Sequence, residues 1–221
     1  MEISAVTTVA RRTLATRNAG WAKRLARALG RAGVKPNAVS MASIGVAAVA
    51  AAAFVMASRV SPNASGAALL AAAAAIQLRL LCNLLDGMLA VEEGLKTPVG
   101  ELYNELPDRV ADVLILVGAG YAIRDLPGGI ALGSAAAITA LLTAYVRALA
   151  GSLAAAASFA GPMAKQHRMF TLTIAALAAA VQAISGHPLH ALRAGLIVIV
   201  AGAVATVWRR TRLLAADLEG R

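Results

Sequence analysis

Apolar stretches long enough to cross a bilayer recur along this chain, broken at intervals by short polar or turn-forming segments. A spanning helix needs roughly 20 mostly apolar residues. The pattern predicts six of them, over 38–58, 65–90, 100–123, 129–154, 168–185 and 191–214. Between them lie Ser61-Pro62-Asn63, Leu126-Pro127-Gly128-Gly129 and Gly186-His187-Pro188, residues that favour turns. The alternating segments of a membrane β-barrel are not seen. The dominant apolar residue is alanine, a strong helix former that is small enough for helices to approach closely in lipid. The predicted class is all-α: a polytopic membrane protein with six transmembrane helices, preceded by an amphipathic surface helix. The whole chain, 1–221, reads as one membrane domain: an arm over 1–34, the helices within 35–214 and a tail over 215–221.

The arm has its own pattern. On a helical wheel Trp21, Leu25, Ala28, Leu29 and Ala32 share one side, while Arg24, Arg27 and Arg31 share another with Lys23 beyond them. A helix of this kind lies on an anionic membrane surface. No apolar run in the arm is long enough for the hydrophobic region of a signal peptide.

Composition agrees with lipid as the solvent. The chain is 59% hydrophobic and 14% charged, with a mean hydropathy of +0.71, whereas soluble domains carry about 25% charged residues. A net charge of +10 on a soluble protein would point to nucleic acid. Here the basic residues flank apolar segments, so they read as orientation signals, and no nucleic-acid partner is expected. The three turns carry chiefly Arg59, Arg124 and Arg193, and the opposite face carries the arm, Lys96, Lys165, Arg168, Arg209, Arg210 and Arg212. The positive-inside rule then puts both termini in the cytoplasm of a multi-pass protein of the inner (plasma) membrane. The single cysteine, Cys82, says little about redox compartment.

One stretch is out of character for a membrane segment. Asn83, Asp86 and Ala90 fall at i, i+3 and i+7 on one helix face, and Gly100, Asn104, Asp108 and Asp112 fall at four-residue steps on another. A short link through Glu92, Glu93 and Lys96 lets the two faces meet antiparallel. Carboxylates in membrane segments are costly and face a partner or a wet cavity. Convergent carboxylate and amide oxygens suit a hard cation such as Mg²⁺, Mn²⁺ or Ca²⁺.

These residues resemble the signature of the CDP-alcohol phosphotransferases, D-x-x-D-G-x-x-A-R, eight residues, then G-x-x-x-D-x-x-x-D. The spacing matches at Asn83, Asp86, Gly87, Ala90, Val91, Gly100, Asn104 and Asp108, with identity at Asp86, Gly87, Ala90, Gly100 and Asp108. Upstream, Lys35-Pro36-Asn37-Ala-Val39-Ser40 looks like the family's entry to its first span. The resemblance implies transfer of a phosphatidyl or similar group from a CDP-linked lipid, usually CDP-diacylglycerol, to a small alcohol. CMP would be released, and members are typically homodimers. It further implies one or two Mg²⁺ or Mn²⁺ ions on Asn83, Asp86, Asn104 and Asp108. Asp108 would be the general base, and Gly87 and Ala90 would let the cytidine nucleotide approach.

Three positions depart from the signature: Asn83, Asn104 and Val91. Asparagine keeps a carbonyl oxygen but brings no charge, so two carboxylates supply −2 against the +4 of two divalent ions. Glu101, Glu105 or Asp112 is a candidate replacement, and a single ion is the other way out. A weakened or inactive member that binds lipid or nucleotide is therefore the alternative function. At the acceptor end, Arg147, Lys165 and Arg168 suit the phosphate of a phosphorylated alcohol, and Asp112 is the alternative partner for Arg147 at its depth.

Overall fold

The computed structural model describes residues 19–91, 94–95, 97–155 and 159–220. The start of the arm and the linker residues Glu92, Glu93 and Lys96 lie outside the described residues. Seven helices are described: α1 (Gly20–Arg31), α2 (Pro36–Ala57), α3 (Pro62–Val91), α4 (Gly100–Ala122), α5 (Gly129–Ser152), α6 (Lys165–Ile184) and α7 (His190–Glu219). Each of the six predicted segments is a helix. Four start one to three residues earlier than expected, at Pro36, Pro62, Lys165 and His190, the first two because proline is preorganised for the first helical position. The last runs on to Glu219, since Leu213, Leu214, Ala215 and Ala216 all favour helix.

α2, α3, α5, α6 and α7 are long and apolar enough to cross a membrane, which makes this a polytopic membrane protein. α4 falls outside that set because its 23 residues include Glu101, Glu105, Asp108, Arg109 and Asp112. Of those charges Asp108 and Asp112 are buried inside the bundle, Glu105 and Arg109 are half-buried and Glu101 is exposed.

Side-chain contacts fix which helix ends lie together. Ser40 near the start of α2 bonds Asp86 near the end of α3, and Asn37 reaches Thr97 just before α4. The Met163 amide before α6 donates to Thr206 late in α7, and Arg210 of α7 donates to the Thr143 carbonyl of α5. These ends form one face of the bundle. At the other, Arg124 after α4 donates to the Ser58 carbonyl after α2.

The core is built of alanine with a few large residues, among them Phe54, Ile76, Ile115, Leu116, Met169 and Leu196. Close backbone approach makes up for small side chains, as expected where no hydrophobic force drives helices together in lipid. At the α4–α5 crossing a Cβ on Gly133 would lie 2.6 Å from the Gly120 Cα. α1 docks on the site-bearing face. Its buried side is Ala22 and Ala26 against Leu84, Leu85 and Met88 of α3. Trp21 and Leu25 stay exposed, and so do Arg24, Arg27 and Arg31 on the far side. Of the apolar stripe read from the wheel only Leu29 packs on that cluster, while Trp21, Leu25, Ala28 and Ala32 are exposed and the docked side is Ala22 and Ala26 instead.

Candidate functional site

The two polar faces meet as expected. From α3, Asp86, Gly87 and Ala90 line a small cavity with Gly100, Glu101 and Asn104 of α4 and Ser40 of α2. Asn104 also borders a second cavity of about 650 Å³, lined by Asn83, Asp108, Arg147, Lys165 and Arg168. Every residue assigned to the metal, the nucleotide or the acceptor phosphate therefore borders one of two adjoining cavities, whereas Asp112, a candidate replacement ligand, borders neither.

Asp108 sits among hydrogen-bond donors. Its Oδ1 accepts from Asn83 Nδ2 at 2.7 Å and from Arg79 Nη2 at 3.1 Å. Its Oδ2 pairs with the Lys165 ammonium. The Asn83 amide has to point this way, because the reverse orientation would set its carbonyl oxygen against a carboxylate oxygen. Asp112, one turn on, is held by Arg79 Nη2 at 3.1 Å on Oδ1 and by Arg168 Nη2 at 3.0 Å on Oδ2. Asp86 accepts from Ser40 Oγ at 2.6 Å.

Arg79 carries no role in the sequence reading, yet it is fully buried and joins α3 to Asp108 and Asp112, the two buried carboxylates of α4. Its position held the clue: it is four residues before Asn83 and seven before Asp86, on the same face. A lone arginine in an apolar helix requires a buried anion. Arg210 was also undervalued as one of a surface cluster, since it is buried and ties the Thr143 and Ala160 carbonyls together.

At the acceptor end, Arg147 pairs with Glu105 at 2.5 Å and lies over the Phe159 ring at 5.9 Å. Its expected alternative partner, Asp112, is taken by Arg79 and Arg168 instead. Glu105 also bonds Arg109 at 2.9 Å. Arg168 is buried and committed to Asp112, Thr143 Oγ1 and the Met163 carbonyl. Arg147 and Lys165 are thus the more accessible cations of the three, with side chains 29% and 23% exposed.

The donor set can be weighed against the expected divalent ions. Among the described residues no group of three or more His, Cys, Asp or Glu is placed to hold a metal. Of the candidate replacements, Glu105 and Asp112 are paired to arginines, and only Glu101 borders the cavity of Asp86. Asn83 presents N–H to Asp108, and protein cations occupy both Asp108 oxygens. This arrangement does not fit a two-ion centre, and a single ion would have to displace Lys165.

No protein-family model matches the chain, and no curated protein matches it in sequence. Solved structures do match. The phosphatidylinositol phosphate synthase of Mycobacterium tuberculosis with CDP-DAG bound is 23% identical, with a TM-score of 0.74, over 89% of this chain and 94% of that one. The same protein with manganese and citrate is 21% identical, with a TM-score of 0.73, over 87% and 88%. In apo form the values are 21%, 0.69, 86% and 93%. The chain described here has the fold of that synthase.

Proposed function

We propose that the chain is a CDP-alcohol phosphotransferase. It would move a phosphatidyl or similar group from a CDP-linked lipid, such as CDP-diacylglycerol, to a small phosphorylated alcohol in phospholipid synthesis. The observation that carries this reading is the convergence of Asp86, Gly87 and Ala90 with Gly100 and Asn104 on one cavity, next to a basic one holding Asp108. That convergence occurs in a fold whose solved relative holds CDP-DAG.

In this reading the nucleotide lies against Gly87 and Ala90, where short side chains permit close approach. The acceptor's phosphate lies at Arg147 and Lys165, with Arg168 behind them holding Asp112. As Lys165 turns to that phosphate it uncovers Asp108 Oδ2. The carboxylate then takes the proton of the acceptor hydroxyl, whose oxygen attacks the β-phosphorus. The bond to CMP breaks, CMP leaves with the electron pair, and a phosphodiester remains. Positioning and neutralisation of charge supply most of the catalysis in such transfers. Six membrane spans including α4, both termini in the cytoplasm, a plasma-membrane location and a homodimer belong to the same proposal. The basic site-bearing face supports the orientation.

A second reading is favoured by the saturation of Asp108: a family member that binds lipid or nucleotide without turnover. CMP release from CDP-diacylglycerol in detergent separates the two, with glycerol 3-phosphate, inositol phosphate, serine and inositol as acceptors and with Mg²⁺, Mn²⁺ or EDTA present. Turnover with one acceptor that Asp108→Asn lowers by about 10²-fold or more supports the transferase. Nucleotide binding with no CMP release from any acceptor would leave only the second reading.

A further inference from the structure

The charges around Asp108 are complete without an added cation. Arg79 and Lys165 pair with Asp108, and Arg79 and Arg168 pair with Asp112, three positive groups against two negative ones. A divalent ion placed among them would add uncompensated charge in a poorly solvated region, where such charge is expensive. The substitutions run the same way. Asn83 and Asn104 withdraw two negative charges from the signature positions, and Asn83 offers Asp108 a donor where a metal site needs another acceptor.

The cavity that Asp108 lines has a surplus of positive charge. Beyond Lys165 and Arg168, which pair with Asp108 and Asp112, Arg109, Arg147 and Arg210 border it against the carboxylate of Glu105. That surplus suits a phosphate dianion or a diphosphate. A lysine ammonium serves as a compact point charge for phosphate, and arginine serves as a fork.

We infer that this chain engages its phosphorylated ligand without a divalent ion, with Arg79 and Lys165 supplying the positive charge at Asp108. The inference rests on the reading above only in that a phosphorylated ligand enters this site.

The test uses the full chain in detergent. Inorganic pyrophosphate is titrated by calorimetry in EDTA, and Mn²⁺ is titrated separately by electron paramagnetic resonance. Pyrophosphate should bind in EDTA. Lys165→Met should weaken it about tenfold or more, Lys165→Arg should retain it within about threefold, and Mn²⁺ should show no stoichiometric site. Stoichiometric Mn²⁺ binding that Asp108→Asn removes would overturn the inference. So would pyrophosphate binding that requires Mn²⁺, or none in either condition. CMP release that depends strictly on Mn²⁺ would overturn it and leave the transferase standing. Metal-free pyrophosphate binding without CMP release from any acceptor would do the reverse.

Discussion

Asn83 donates from Nδ2 to Oδ1 of Asp108 at 2.7 Å, joining the first and last positions of the signature directly. An aspartate at 83 could not make this contact in its ionised form, because two carboxylates that close repel. The asparagine is therefore part of how Asp108 is held.

Restoring the signature charges should reverse that arrangement. Asn83→Asp with Asn104→Asp puts four carboxylates at the signature positions, including Asp86 and Asp108. The double variant is expected to gain a Mn²⁺ signal in electron paramagnetic resonance that the parent chain lacks. If metal affinity stays unchanged, charge is not what governs metal binding here.

Arg79 holds two buried carboxylates, and its loss leaves both short of a partner. Arg79→Met is expected to destabilise the bundle by about 3–5 kcal/mol, read as the shift in a denaturant unfolding transition in detergent. Adding Asp112→Asn should recover part of that loss, because the two sites share one interaction. Strict additivity of the two changes would show that Arg79 acts elsewhere.

Ala90→Leu would fill the cavity shared by Asp86, Gly87 and Asn104 while leaving the basic cavity open. CDP binding is expected to fall about tenfold or more, with pyrophosphate binding unchanged. Equal loss of both ligands would place the nucleotide somewhere other than this wall.

The α4–α5 crossing tolerates little added volume. Gly133→Leu is expected to cost about 1–3 kcal/mol through overpacking, measured by the same unfolding assay. A neutral result would mean that the helices can separate there without penalty.

The helices were legible because lipid imposes a simple rule: long apolar runs, with proline and glycine between them. The facing polar sides were legible as well, since Asn83, Asp86, Asn104 and Asp108 follow helical spacing. The direction of each interaction was harder to read. Spacing places an amide beside a carboxylate but does not say whether its oxygen or its N–H turns inward. Arg79 was overlooked because one charge in an apolar run draws no pattern, and its partners lie 29 and 33 residues away. The partner of Arg147 was equally out of reach, because choosing Glu105 over Asp112 depends on which face of α4 each presents.

Asn104 lines both cavities and is itself exposed. A ligand with its base in one and its reacting phosphorus in the other would lie beside that short amide. Its size therefore bears on both ends of such a molecule at once, and enlarging it would crowd the ligand midway without touching any charge.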